Sequence, residues 1–160
     1  MKIFIPGGAG LVGLNLLYLL EKNYPDWELF IVDKKKTSID VGKRLFKNVK
    51  FICEDLSYLK GNTWPDIIKN CDICIMLQAE IGNKDPFQFE KNNVISTKTI
   101  LQTIKKTNIK RVIHISSSVL NSAYSDHYTQ TKLKQENLIL EKWSKSLVIL
   151  RPTLMFGCSI

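Results

Sequence analysis

The sequence predicts an α/β protein: a doubly wound parallel sheet of about six strands in a three-layer α/β/α arrangement. Three observations predict it. Short apolar runs alternate with helical patterns from one end of the chain to the other. Several runs are apolar throughout, as in parallel strands covered on both faces. The first run passes through clustered glycines into the first helical pattern.

The expected strands are 2–6, 29–33, 49–53, 73–77, 111–116 and 147–151, all rich in Ile, Val, Leu or Phe. Leu11 to Lys22 carries a wide apolar face and forms the first crossover helix. Val94, Ile100, Leu101 and Ile104 mark the apolar stripe of the fourth crossover. Leu133, Leu140 and Trp143 do so in the fifth. Right-handed crossovers then give the strand order three-two-one-four-five-six. Asn62 to Asp66 and Gly82 to Pro86 read as turns inside one domain that spans residues 1–160.

Composition narrows the class. The 160 residues are 44% hydrophobic and 24% charged, enough for a substantial core. No apolar run approaches the roughly 18 residues that cross a bilayer, so a cytoplasmic protein is expected. Cys53, Cys71, Cys74 and Cys158 read as reduced thiols. Cys71 and Cys74 form a CxxC without a second ligand pair, which favours burial beside a strand over a metal or redox site. The net charge of +8 comes mostly from dispersed lysines, with one tight cluster at Lys34 to Lys36. Without interleaved aromatics this favours a solvated surface over a nucleic-acid groove.

The glycines carry the chemistry. Ile3-Phe4-Ile5-Pro6 is followed by Gly7-Gly8-Ala9-Gly10-Leu11-Val12-Gly13, spaced G-x-x-G-x-x-G between strand and helix. A pyrophosphate must approach bare backbone N–H groups at a helix N-terminus, where side chains would obstruct it. Gly7 serves the tight turn, Gly10 the close approach, and Gly13 the helix–strand packing. Asp33, about 20 residues further on, ends the second strand, where its carboxylate can accept from adenosine ribose hydroxyls. The expectation is a Rossmann-type dinucleotide site with Gly7, Gly10, Leu11, Val12, Gly13 and Asp33 in contact with the cofactor. Asp33 favours NAD over NADP, whereas Lys34 and its neighbours narrow the margin.

Two further segments bring a family into view. Ile113-His114-Ile115-Ser116-Ser117-Ser118 ends the fifth strand, and Tyr128-Thr129-Gln130-Thr131-Lys132 is a Y-x-x-x-K opening the next helix. With the glycine loop, they resemble the extended short-chain dehydrogenases/reductases of the NAD-dependent nucleotide-sugar epimerase/dehydratase group. Asp55-Leu56, Gln78-Ala79-Glu80, Asn92-Asn93-Val94 and Leu150-Arg151-Pro152-Thr153 with Phe156-Gly157 match further family segments in order. The resemblance implies that Lys34, Asp55, Leu56, Gln78, Ala79, Glu80, Asn93, Ser116, Tyr128, Lys132 and Pro152 contribute to cofactor binding. It also implies an oxidoreductase or isomerase with Ser118, Tyr128 and Lys132 as catalytic residues and a nucleotide-activated sugar as substrate. Three features depart from the family: Pro6 replaces its usual Thr, the segment between Ser118 and Tyr128 is short, and the sequence read reaches Ile160 before the family's seventh strand and substrate lobe, which are expected to be absent from this chain.

The chemistry of the triad is explicit. A sugar alcohol that gives up hydride must also lose its hydroxyl proton, and a free tyrosine with a pKa of about 10 is a poor base near neutrality. Lys132 lies one helical turn from Tyr128, so it is expected to favour the phenolate and to reach the nicotinamide ribose. Ser118 is expected to orient the substrate oxygen, and His114 to be structural. Without the substrate lobe, the chain alone is expected to be a poor sugar enzyme, and its last strand an edge that pairs with another copy or with a partner chain. Two other readings stand beside the enzyme: a cofactor-binding module, and a nucleic-acid-associated basic protein.

Overall fold

The computed structural model describes residues 1–123 and 125–157. Cys158, expected as a reduced thiol, and Ile160, where the chain ends, lie outside them. One six-stranded parallel sheet organises the chain. Its strands are β1 (Lys2–Pro6), β2 (Glu28–Asp33), β3 (Val49–Cys53), β4 (Ile73–Met76), β5 (Arg111–Ile115) and β6 (Ser146–Leu150). They run in the order β3-β2-β1-β4-β5-β6, as expected. The order reverses between β1 and β4, where an open α/β sheet leaves a crevice at its carboxyl edge.

Alternation along the inner strands explains the three layers. Ile3 and Ile5 of β1, with Leu29 and Ile31 of β2, point to one face, where they pack with Leu17 and Ile39. Those two residues come from α1 (Leu11–Asn23) and α2 (Lys36–Leu45). Phe4, Phe30 and Val32 point to the other face and meet Trp64, Ile100, Leu101, Ile104 and Ile139. Trp64 opens the short α3 (Trp64–Ile67), so the turn expected over 62–66 already begins a helix there, anchored by a fully buried indole. The crossover between β4 and β5 is a continuous helical run: α4 (Pro86–Phe89), a π-helical segment (Glu90–Ile95) and α5 (Ser96–Ile104). The last crossover is α6 (His127–Lys142), started by Asp126, whose carboxylate accepts from Thr129 N–H at 2.7 Å.

One expected apolar stripe is misplaced. Leu133 and Leu140 of α6 are exposed, and its inward residues are Thr131, Lys132, Gln135, Glu136 and Ile139. This helix gives most of its inner face to polar groups behind the site. Cys71 and Cys74 are buried in the second core layer. Burial pushes the Cys71 thiol up to about 12 and Cys74 well above its usual value, so both stay protonated as packing groups. Among the described residues no helix is long and apolar enough to cross a membrane.

Candidate active site

The loop after β1 shows what each glycine does. Gly7 has φ +74°, and a Cβ there would lie 2.4 Å from the Gln78 backbone at the end of β4. Gly13 lies against the loop itself: a Cβ would come within 2.1 Å of Gly8 O. Gly10 differs, because the nearest atom to a Cβ there is Gly7 O at 3.9 Å. It borders the crevice, so a side chain would project into the space above the loop. The first intrahelical bond of α1 runs from Leu14 N–H to Gly10 O at 2.9 Å. The amides of Leu11, Val12 and Gly13 precede it and form the donor end of the helix.

These residues form one wall of a cleft of about 570 Å³. Asp33 and Lys34 from the end of β2, and Asp55 and Leu56 beyond β3, line one end. Gln78, Ala79 and Glu80 beyond β4 line the middle. Ser116, Tyr128, Lys132 and Pro152 line the other end. Of the residues singled out in the sequence, Asn93 and Ser118 are outside the lining.

Asn93 is a buried brace behind the wall. Its Oδ1 accepts from Glu80 N–H at 2.7 Å, and its Nδ2 donates to Thr131 Oγ1 at 3.0 Å, tying the β4 loop to α6. It belongs to the π-helical segment, an irregularity common at functional sites. Ser118 opens a short 3-10 turn in which its N–H donates to Pro152 O at 2.9 Å. The serine whose hydroxyl lowers the Tyr128 phenol is Ser117, not Ser118. Sequence order shows three consecutive serines, but not which one precedes the turn. Lys35, Ser38, Ile81, Ser117, Leu154 and Met155 also line the cleft. Of these, only Ser117 and Lys35 stood in motifs visible in the sequence.

Two ion pairs lie along the cleft. Lys34 Nζ lies 3.3 Å from Glu80 Oε2, and Lys91 Nζ lies 2.8 Å from Asp55 Oδ2. Burial pushes the Asp55 carboxyl up, but the bonds from Lys91 and Ser57 outweigh it and hold it below its usual range. At the far end, burial raises the Tyr128 phenol above its ordinary value; the Ser117 hydrogen bond opposes this and Asp126 adds to it. Lys132 is not among the groups that shift it. The Lys132 ammonium instead donates to Ile115 O at 2.9 Å and Gln135 Oε1 at 2.6 Å. Burial pulls its pKa down to about 8, with Glu136 opposing.

Fold and site together define a Rossmann-type protein whose crevice joins a glycine loop, an acid at the end of β2 and a Tyr–Lys pair on one helix. Residues 3–142 match the sequence profile of the NAD dependent epimerase/dehydratase family, and the chain belongs to that family. It is 30% identical over 132 residues to a trifunctional UDP-glucose 4,6-dehydratase/UDP-4-keto-6-deoxy-D-glucose 3,5-epimerase/UDP-4-keto-L-rhamnose-reductase of Arabidopsis thaliana, covering 72% of this chain and 19% of that protein. It is 26% identical over 171 residues to dTDP-D-glucose 4,6-dehydratase of Dictyostelium discoideum, covering 99% of this chain and 37% of that one. The structure of UDP-glucuronic acid 4-epimerase from Bacillus cereus in complex with NAD superposes with a TM-score of 0.83 at 26% identity, over 98% of this chain and 58% of that chain. The chain thus spans less than two thirds of each of these proteins.

Proposed function

We propose that the chain is the cofactor domain of an NAD-dependent epimerase or dehydratase that acts on a nucleotide-activated sugar by reversible hydride transfer. The observation that carries this reading is the meeting, in one cleft, of the α1 N-terminus, Asp33, Tyr128 and Lys132. The residues present fit a dinucleotide. Gly10 leaves the approach to the α1 amides open. Gln78 lines the cleft with a buried Oε1 that lacks a partner among the described residues, an acceptor suited to a ligand hydroxyl or amide. Asp33 would accept from the adenosine ribose and disfavour a 2′-phosphate. Lys34 is already engaged by Glu80, which weakens the case for NADP.

When bound, the oxidised nicotinamide would supply the hydride acceptor and a positive charge that favours the phenolate. Tyr128 Oη takes the proton from the sugar hydroxyl and returns it in the reverse direction. Ser117 favours the phenolate by hydrogen bonding. Lys132 keeps one ammonium proton for the cleft after its bonds to Ile115 and Gln135, and it is assigned to the nicotinamide ribose. Similarity to UDP- and dTDP-sugar enzymes supports the substrate class. The residues that position the sugar are proposed to come from polypeptide beyond this domain, in the same assembly or a partner. A second reading, a binding module that holds NAD without turning over a sugar, draws on the Tyr128 phenol, which burial raises and Lys132 does not lower.

Hydride transfer from UDP- and dTDP-sugars to NAD, followed at high protein concentration, separates the two. Slow transfer that falls about 100-fold or more in Tyr128→Phe supports the enzyme. NAD binding without transfer from any sugar selects the module. Transfer undiminished in Tyr128→Phe contradicts the role of Tyr128.

A further inference from the structure

Lys132 is 1% exposed, yet it carries an ammonium, so what holds it decides where that charge points. Among the described residues its acceptors are Ile115 O and Gln135 Oε1. Gln135 is fully buried, and its other amide atom, Nε2, donates to Thr97 Oγ1 at 2.8 Å and to Gln78 O at 3.4 Å. Thr97 Oγ1 also accepts from Gln78 Nε2 at 3.1 Å, and it donates its one proton to Asn93 O at 2.6 Å.

A hydroxyl has one proton and two acceptor sites, so Thr97 is saturated. This fixes the orientation of the Gln135 amide. If it were flipped, an NH₂ group would face an ammonium, and the amide oxygen would face a hydroxyl whose proton is committed to Asn93. The threonine therefore forces the glutamine oxygen toward Lys132. With two N–H bonds fixed, tetrahedral geometry fixes the third, and Lys132 lines the cleft.

We infer that Gln135, locked by Thr97, is the positioning residue for Lys132: it aims the ammonium into the cleft and sustains its charge without neutralising it. This role rests on the proposed function for its catalytic meaning, but not for its geometry. Among the described residues, Gln135 is the side chain that hydrogen-bonds the ammonium, beside the backbone carbonyl of Ile115. Glu136, next along α6, is engaged by Ser116 Oγ and by the Arg151 guanidinium. His114, facing from β5, is kept neutral by burial, with a pKa of about 3. Tyr128 is the other titratable group of α6 on the cleft, and burial keeps its phenol protonated. A carboxylate at position 135 would pair with the ammonium, whereas an apolar side chain would leave it without an acceptor there.

The test is a pH titration of the Lys132 ammonium in the whole chain by NMR of isotope-labelled lysine, assigned with Lys132→Met. Gln135→Met, close to Gln in volume, should lower the midpoint by about one unit or more, a roughly tenfold smaller ammonium-to-amine ratio. Gln135→Glu, of the same shape, should raise it by about one unit or more. NADH affinity should weaken in both variants, because Gln135→Met removes the acceptor and Gln135→Glu neutralises the charge presented to the cleft. Thermal melts establish that each variant folds, and if Gln135→Met does not, the midpoint in Gln135→Glu decides alone. A midpoint within about 0.3 unit of wild type in a folded variant overturns the inference. Failure of the wild type to bind NADH would instead sink the proposed function, and the titration would still decide the role of Gln135.

Discussion

Asp33 is held by its own turn: Oδ1 accepts from Lys35 N–H at 3.0 Å, which presents the carboxylate to the adenosine end of the cleft. Asp33→Ala should remove both the ribose acceptor and the repulsion of a 2′-phosphate. The expected outcome is a narrowed preference for NADH over NADPH, read by parallel calorimetric titrations. Tighter NADPH binding by the wild type would overturn the cofactor assignment. At this scale the sequence was most legible where backbone and residue type coincide. Gly7, Gly13 and Asp33 sit where a fixed spacing puts them, because the constraints are local. Ser117 and Ser118 were not separable, since which hydroxyl meets Tyr128 depends on the 3-10 turn that ties Ser118 N–H to Pro152 O across the fold. Of the Lys132 partners, Gln135 lies three residues along the same helix, whereas Ile115 arrives from another element and was equally invisible.

Strands were more legible than α6. The β1 and β2 runs are apolar over 3–5 and 29–32 because both faces are covered there, and each of those residues shows it. Helix α6 breaks its own pattern: its leucines at 133 and 140 face outward, while Lys132, Gln135 and Glu136 are buried. Such conflicts between local pattern and burial are expected where a site claims the inner face. His114 of β5 lies against this seam, fully buried, with both ring nitrogens lacking partners among the described residues. Burial, then the Lys132 charge, pull its pKa down to about 3, while Glu136 opposes. The folded state therefore binds fewer protons than the unfolded one between about pH 6.5 and 3. The resulting stability is fully present above about pH 6.5 and lost as pH falls toward 3, up to a magnitude on the order of 5 kcal/mol. His114→Leu should hold its stability at neutral pH and show a shallower acid limb in denaturant melts across that window. An unchanged acid limb would show that His114 does not report the burial assigned to it.

The two edges of the sheet differ. Edge strand β3 carries Lys50 and the exposed Cys53, whereas edge strand β6, Ser146-Leu147-Val148-Ile149-Leu150, has no charged residue. Val148 and Leu150 are 38% and 50% exposed, and Leu154 and Phe156 beyond them are 81% and 91% exposed. An uncharged apolar edge favours pairing with another chain. Light scattering should give a mass above the 18.4 kDa of one chain, and Val148→Lys should shift it downward. A monomer at high concentration would contradict that expectation. The central claim for the whole molecule is that the cleft at the β1–β4 crossing holds NAD. Calorimetric titration with NADH, beside Gly10→Val, tests it most directly. At Cβ the branched side chain meets no atom of the described residues closer than 3.9 Å beyond its chain neighbours, so the fold should survive while the pyrophosphate's place is filled. The account predicts saturable binding by the wild type and at least about a 100-fold loss in a folded Gly10→Val. Equal affinity in the two proteins, or no saturable binding by the wild type, would contradict it.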